Sequence, residues 1–217
     1  LKSIERGAFS RCNLLAKVTL PDSLESIGGY AFCESKVKDI EFGKKIKTIG
    51  ENAFFYCDSL KAAILPEGLE SIGKYAFNYC TSLKELYVPG SVTNLGDYAF
   101  YNCVELTDVS FCEGLTNIPE QAFSNCKSIE KLTLPEGLKT IDERAFQSCS
   151  ALKEITFPSS LETIGAGTFQ YCYKVGRINV SSLEVWMNVD INSFIFYHGG
   201  GELVVNGRVL TELNIPE

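Results

Sequence analysis

The chain has 217 residues, 45% of them hydrophobic and 22% charged, which is enough apolar surface for a core and excludes intrinsic disorder. A net charge of −7 argues against a nucleic-acid binder, which normally presents a basic face. The longest apolar run, Ala53–Cys57, falls far short of the roughly 20 residues that span a bilayer, and no signal peptide opens the chain.

From the N-terminus onward, Phe recurs at 9, 32, 54, 77, 100, 123, 146 and 169, in steps of 22 or 23. Ala precedes all but the last, where Thr168 stands. An aliphatic residue sits five before each Phe from Ile27 to Ile164, followed by Gly at 28, 50, 73, 96 and 165. Prolines 21, 66, 89, 135, 158 and 216 share one column, and Pro119 alone stands outside it. A strict period of this length settles the architecture before any single element does.

Each unit opens on a short strand. Lys17-Val18-Thr19-Leu20 alternates polar and apolar, which puts Val18 and Leu20 on one face. Proline follows, where a backbone donor is dispensable. A second extended piece, such as Leu69-Glu-Ser-Ile72, ends in Gly, and the reading assigns that Gly a positive φ. The A-F-x-x-C piece has room for one helical or 3₁₀ turn. No unit can bury its apolar face alone, so the units must stack at about 4.8 Å per repeat into parallel ladders. The expected fold is a mainly β repeat solenoid of the leucine-rich-repeat kind, a right-handed superhelix with short 3₁₀ or helical turns. Residues 1–180 form about eight repeats of it, with the Phe column its most buried aromatics.

The frame breaks after Pro158, where 58 residues lead to Pro216 and two repeats would take 46. Residues 181–212 read as an irregular insertion. Ser181-x-x-Glu184 is a capping-box pattern for a short helix carrying Leu183 and Trp186. Gly199-Gly-Gly201 is a loop, and Asn206-Gly207 is the favoured centre of a two-residue β-hairpin. The insertion is weighed as a structural shield against a recognition element. Residues 213–217 start a further repeat, and both chain ends cut a repeat without a polar cap, so the expectation is a fragment of a longer array.

Chemistry is sparsely signalled. Seven of the nine cysteines (12, 57, 80, 103, 126, 149, 172) share one column three after each Phe, while Cys33 and Cys112 lie off it. Column neighbours would sit within disulfide range, but their Cβ vectors run parallel and a core column favours a small apolar side chain. Free buried thiols are therefore expected. There is no C-x-x-C for zinc, no nucleophile elbow, phosphate loop or H-E-x-x-H, and the one histidine, His198, has no ligand partner beside it. The reading is a non-enzyme with no catalytic residue, metal or cofactor.

The repeat L-x-x-[VI]-x-L-P-x-x-L-x-x-I-G-x-x-A-F-x-x-C resembles the BspA-like (Treponema pallidum-type) leucine-rich repeat. The resemblance covers Leu1–Val180 and resumes at Leu213-Asn-Ile-Pro216. It implies a cell-surface or secreted protein used for adhesion, with an extracellular matrix or host surface protein as partner, and no nucleic acid or membrane insertion.

Strand alternation sends Lys17/Thr19, Asp39/Glu41, Ala62/Ile64, Glu85/Tyr87, Asp108/Ser110, Lys131/Thr133, Glu154/Thr156 and Arg177/Asn179 outward, side by side across one sheet. Asp39, Glu41, Ile64, Glu85, Tyr87, Asp108 and Ser110 form the candidate protein-binding set. An exposed tyrosine among acids suits an interface anchor, and the acids would steer a basic partner. Two alternatives remain: a carbohydrate-binding module on the tyrosine ladders 30/75/98 and 56/79/171, and a purely architectural spacer.

Overall fold

The computed structural model describes residues 1–191 and 202–211. The chain winds as a mainly β parallel solenoid of about eight coils, and each coil has three walls. The first wall is a row of strands: β2 (Lys17–Thr19), β4 (Asp39–Glu41), β6 (Ala62–Ile64), β8 (Glu85–Val88), β10 (Asp108–Phe111), β12 (Lys131–Thr133), β14 (Glu154–Thr156), β16 (Arg177–Val180) and β18 (Glu202–Val205). The second wall holds two-residue strands: β1 (Ser3–Ile4), β3 (Ser26–Ile27), β5 (Thr48–Ile49), β7 (Ser71–Ile72), β9 (Asn94–Leu95), β11 (Asn117–Ile118), β13 (Thr140–Ile141), β15 (Thr163–Ile164) and β17 (Asp190–Ile191). Pairing within each wall is parallel and offset by one repeat, as in Asp39↔Ala62, Ala62↔Glu85 and Glu85↔Asp108.

The third wall contains the Ala-Phe pair, and its backbone follows an alternating rule. The N–H groups of Tyr30, Phe32 and Glu34 donate to the next coil's carbonyls at Glu51, Ala53 and Phe55. Those of Ala31, Cys33 and Ser35 turn back to Gly28, Tyr30 and Phe32, three residues behind. Two positions per coil take a left-handed backbone to allow this: Tyr30, Asn52, Tyr75 and Tyr98 two before Phe, and Glu34, Tyr56, Tyr79 and Asn102 two after it, all with φ between 55° and 60°. Such conformations cost an L-residue about 1–2 kcal/mol each. The ladder bonds they release offset that cost, and the segment becomes a stack of turns rather than a 3₁₀ helix.

The glycine column therefore has another reason than the expected positive φ. Gly28, Gly50, Gly73, Gly96 and Gly165 have ordinary φ, but a Cβ on Gly96 would lie 2.3 Å from the Lys74 backbone nitrogen and 2.6 Å from the Gly73 carbonyl carbon. At the Gly96 corner the coils approach so closely that a side chain would overlap backbone, although the same column accommodates Asp142 with its ladders intact. Gly96→Ala is expected to cost about 2–3 kcal/mol, the upper range for overpacking, because the atoms it meets are backbone and cannot rotate away. Urea unfolding of the variant measures this, and an unchanged midpoint would show that the coils separate freely.

The core runs the length of the stack. Phe32, Phe54, Phe77, Phe100, Phe123, Phe146 and Phe169 are fully buried and stack face to face with centroids 5.0–5.5 Å apart. Phe9 departs from the expected burial: among the described residues its ring stacks on Phe32 alone, and it is 41% exposed. The column cysteines are free thiols. They also work as donors, since the Sγ of Cys80, Cys103 and Cys126 each lies 3.3 Å from the Phe carbonyl of the preceding coil. Ser35 holds the same place in its coil, buried against Cys57 Sγ at 3.4 Å.

In the first four coils charged side chains line the outside of the second wall with alternating sign, and Thr93 ends the run. The backbone places Lys2, Glu25, Lys47 and Glu70 one above another, and Lys2–Glu25 and Lys47–Glu70 form ion pairs.

The irregular region is built into the ladders. β16 leads to the one-turn helix α1 (Leu183–Met187), whose N-cap is Ser182, not Ser181: its Oγ accepts from the Val185 N–H at 3.1 Å. The shift by one residue carries Val189 past the helix, into the core. β17 then extends the second wall and β18 the first, where Arg177↔Glu202 are partners. β18 turns back at Asn206-Gly207, both at positive φ, into the antiparallel β19 (Arg208–Val209). His198, Gly199–Gly201 and Leu213–Pro216 lie outside the described residues.

Candidate functional site

The exposed row of the first wall is where the repeats differ from one another. All seven candidate residues lie on the sheet β2-β4-β6-β8-β10. Asp39, Ala62, Glu85 and Asp108 form one register row. In the next row, Ile64, Tyr87 and Ser110 are direct neighbours across β6, β8 and β10, with Glu41 in β4 beside them. Ile64 is 79% exposed, and Tyr87 is half-exposed. The pleat forces both outward, because their neighbours Ala63, Leu86 and Val88 fill the core.

Electrostatically the face is striped. Glu41 pairs with Lys17 Nζ at 3.1 Å and accepts from Thr19 Oγ1, and this ion-paired hydrogen bond holds its carboxyl below the usual range. Asp108 accepts from Thr107 Oγ1 at 2.7 Å. Asp39 and Glu85 have no ion pair among the described residues. Beside this acidic row lie Lys38, Lys61 and Lys84, which backbone bonds of 3.1 Å hold one above another. Tyr87 is anchored at its tip. Its hydroxyl lies 2.9 Å from Cys112 Sγ, and this contact, followed by desolvation, pushes the phenol up to about 12. Sequence reading missed the pairing, since Cys112 occupies the proline column and strand alternation says nothing about the corner beyond the strand.

The row does not continue unbroken to Asn179. The first wall splits between β10 and β12, and the second between β9 and β11. At the first split a cleft of about 900 Å³ opens, lined by Asp108, Ser110, Lys127, Glu130, Lys131 and Thr133 over a floor of Val109 and Phe111. Asp108 and Ser110 are thus on its rim, and Lys131/Thr133 belong to a second sheet. Further along, Glu154 is partly covered, accepting from Asn179 Nδ2 at 2.8 Å.

The tyrosine ladders occupy the turn wall. Tyr56 and Tyr79 stack at 4.4 Å with ring planes 6° apart, so each covers a face of the other. Tyr75 and Tyr98 meet at 4.9 Å, and Lys74 Nζ approaches both rings. Asn52 separates Tyr30 from this pair, and Tyr30 instead receives the Arg6 guanidinium at 4.4 Å.

A family model described as "BspA type Leucine rich repeat region" matches the chain in six copies, over residues 1–107 and 70–198. Among solved structures, the chain is similar to a leucine-rich repeat protein from Bacteroides ovatus, at 29% identity and a TM-score of 0.76, over 95% of this chain and 57% of that one. It is similar at 30% identity and a TM-score of 0.63 to a leucine rich cell surface protein from Faecalibacterium prausnitzii, over 89% and 61% of the two chains. The T. pallidum leucine rich repeat protein matches at 29% identity and a TM-score of 0.60, over 81% and 72%. The chain therefore spans about three fifths of the length of the first two. No curated protein matches it.

Proposed function

From the premise that the chain belongs to the BspA-type leucine-rich-repeat family, we propose that it is a non-enzymatic protein-binding scaffold acting in adhesion at a cell surface. The family is often surface-associated, one similar structure is named a cell surface protein, and repeat scaffolds of this kind commonly bind proteins. The observation that carries the reading is the pair Ile64–Tyr87. These are cross-strand partners that put a largely exposed aliphatic side chain next to a tyrosine fixed at its hydroxyl. A rigid aromatic beside an apolar neighbour gives up little side-chain freedom on binding, as interface anchors do. Asp39, Glu41, Glu85, Asp108 and Ser110 supply the polar rim. The partner it suits is an extracellular matrix or host surface protein.

The mutual coverage of Tyr56 and Tyr79 disfavours a sugar platform, which needs free ring faces. The test is binding to an immobilised panel of extracellular matrix proteins, with a glycan array in parallel. Ile64→Asp is expected to weaken protein binding at least tenfold, and Tyr87→Ala severalfold. Binding unchanged in both variants, or confined to glycans, would overturn the assignment.

A further inference from the structure

Coil junctions among the described residues carry both strand ladders, with two exceptions that share one coil. Between the coils of Phe100 and Phe123, β8 and β10 pair but β9 and β11 do not. Between the coils of Phe123 and Phe146 the pattern reverses, since β11 and β13 pair while β10 and β12 do not. The coil between them is thus held to its predecessor by the first wall alone and to its successor by the second wall alone.

Pro119 stands at the first of these gaps. It occupies the glycine column, where the corresponding Gly96 donates its N–H to the Ile72 carbonyl at 2.8 Å and has no room for a Cβ. Proline has no N–H, so the corresponding bond to the Leu95 carbonyl cannot form, whereas Asp142 in the same column keeps its own to the Ile118 carbonyl at 2.8 Å. The turn wall is unaffected. Phe100 and Phe123 donate to the next coil's carbonyls at Ala122 and Ala145, both at 2.8 Å, and the rings stay stacked at 5.3 and 5.4 Å. This wall is a continuous spine along one edge of that coil.

The open side is unfinished. In the following junctions Leu134 and Phe157 donate to the Thr156 and Asn179 carbonyls, both at 3.0 Å. Between β10 and β12 no backbone hydrogen bond of any kind is made among the described residues. Val109 and Phe111 are left partly exposed, while Leu132, Leu134, Ile155 and Phe157, which hold the same places in the next two coils, are buried. Closing the cleft would form the missing bonds and bury that floor.

We propose that the coil carrying Phe123 is a joint: the solenoid consists of two stiff blocks that rock about the turn wall, opening and closing the cleft between β10 and β12. Pro119 sets the open position. The joint places Asp108 and Ser110 on one block and Lys131 and Thr133 on the other, so rocking changes the spacing between the two halves of the exposed face.

The experiment is double electron–electron resonance on the full chain, with nitroxides attached through p-acetylphenylalanine so that the native cysteines stay untouched. The Lys17/Asp108 pair spans four coil steps within one block, and Asp39/Lys131 spans four steps across the joint. The distance distribution of Asp39/Lys131 is expected to be at least twice as broad, and Pro119→Gly, which restores the N–H and adds no Cβ, should narrow it toward the Lys17/Asp108 width. Equal widths in the unsubstituted chain would overturn the proposal. So would a broad Asp39/Lys131 distribution that Pro119→Gly does not narrow.

Discussion

Raising the pH from 8 to 9.5 is expected to remove about 6 kcal/mol of folding stability, as five buried thiols each lose a little over 1 kcal/mol. Cys57, Cys80, Cys103, Cys126 and Cys149 all have raised pKa values because burial penalises the thiolate; Cys57 is raised to about 11 and Cys126 to about 12. In the unfolded chain these groups ionise near 8.5. Above that pH the unfolded state has released protons that the folded state still holds, so stability falls as pH rises and is fully present below about 8. The effect is comparable to the whole stability of a typical domain. Urea unfolding at the two pH values under anaerobic, reducing conditions measures it. Tyr79, Tyr87 and Tyr98 are also raised, but unfolded tyrosine titrates near 10, beyond this window. Replacing Cys80 and Cys103 by alanine should remove about two fifths of the slope. A midpoint that stays constant between the two pH values would mean that the column is solvated.

Phe100→Ala is expected to cost about 3–5 kcal/mol, the range for a fully buried aromatic truncated in a tightly packed site. The ring is sandwiched between Phe77 at 5.2 Å and Phe123 at 5.3 Å, and the stack continues on both sides, so the cavity has no loose neighbour to fill it. In a linear stack the loss is shared with the adjoining coils. Amide exchange should therefore accelerate across residues 77–123 and not only near residue 100. Phe9→Ala is the control: one face of that ring is already open, and about 1 kcal/mol is the expected cost from its smaller buried area. Equal losses at the two positions would show that stacking order does not matter.

Much of the fold was legible because a 23-residue period repeats each inference seven or eight times. The strands from Val18 to Ile178, the buried Phe column and the free thiols follow from alternation and column chemistry. Three things were hidden, each for a physical reason. The glycine column looked like a demand for positive φ because a sequence does not show how closely neighbouring coils approach. The left-handed residues were invisible at Tyr30 or Tyr79, since tyrosine normally avoids that conformation and only the ladder of turns makes it worthwhile. The break in the ladders was signalled by Pro119 standing off its column; it falls first on the second wall, between β9 and β11, and the first-wall gap between β10 and β12 lies one junction later. The exposed face itself was readable from strand alternation, whereas the Tyr87–Cys112 contact required the corner geometry.

A chain of near-identical units faces an error that ordinary folds do not: a coil can be looped out and its two neighbours can zip together in its place. The backbone ladders and the Phe column would accept this mistake, because every unit offers the same bonds and the same ring. The alternating column Lys2, Glu25, Lys47, Glu70 would not. Skipping one coil brings Lys2 over Lys47, or Glu25 over Glu70, like charge on like. Each exposed pair adds little to the stability of the finished stack. Their order penalises the wrong neighbour during assembly, so in these four coils the surface charges work as a parity check on a stretch whose core cannot count.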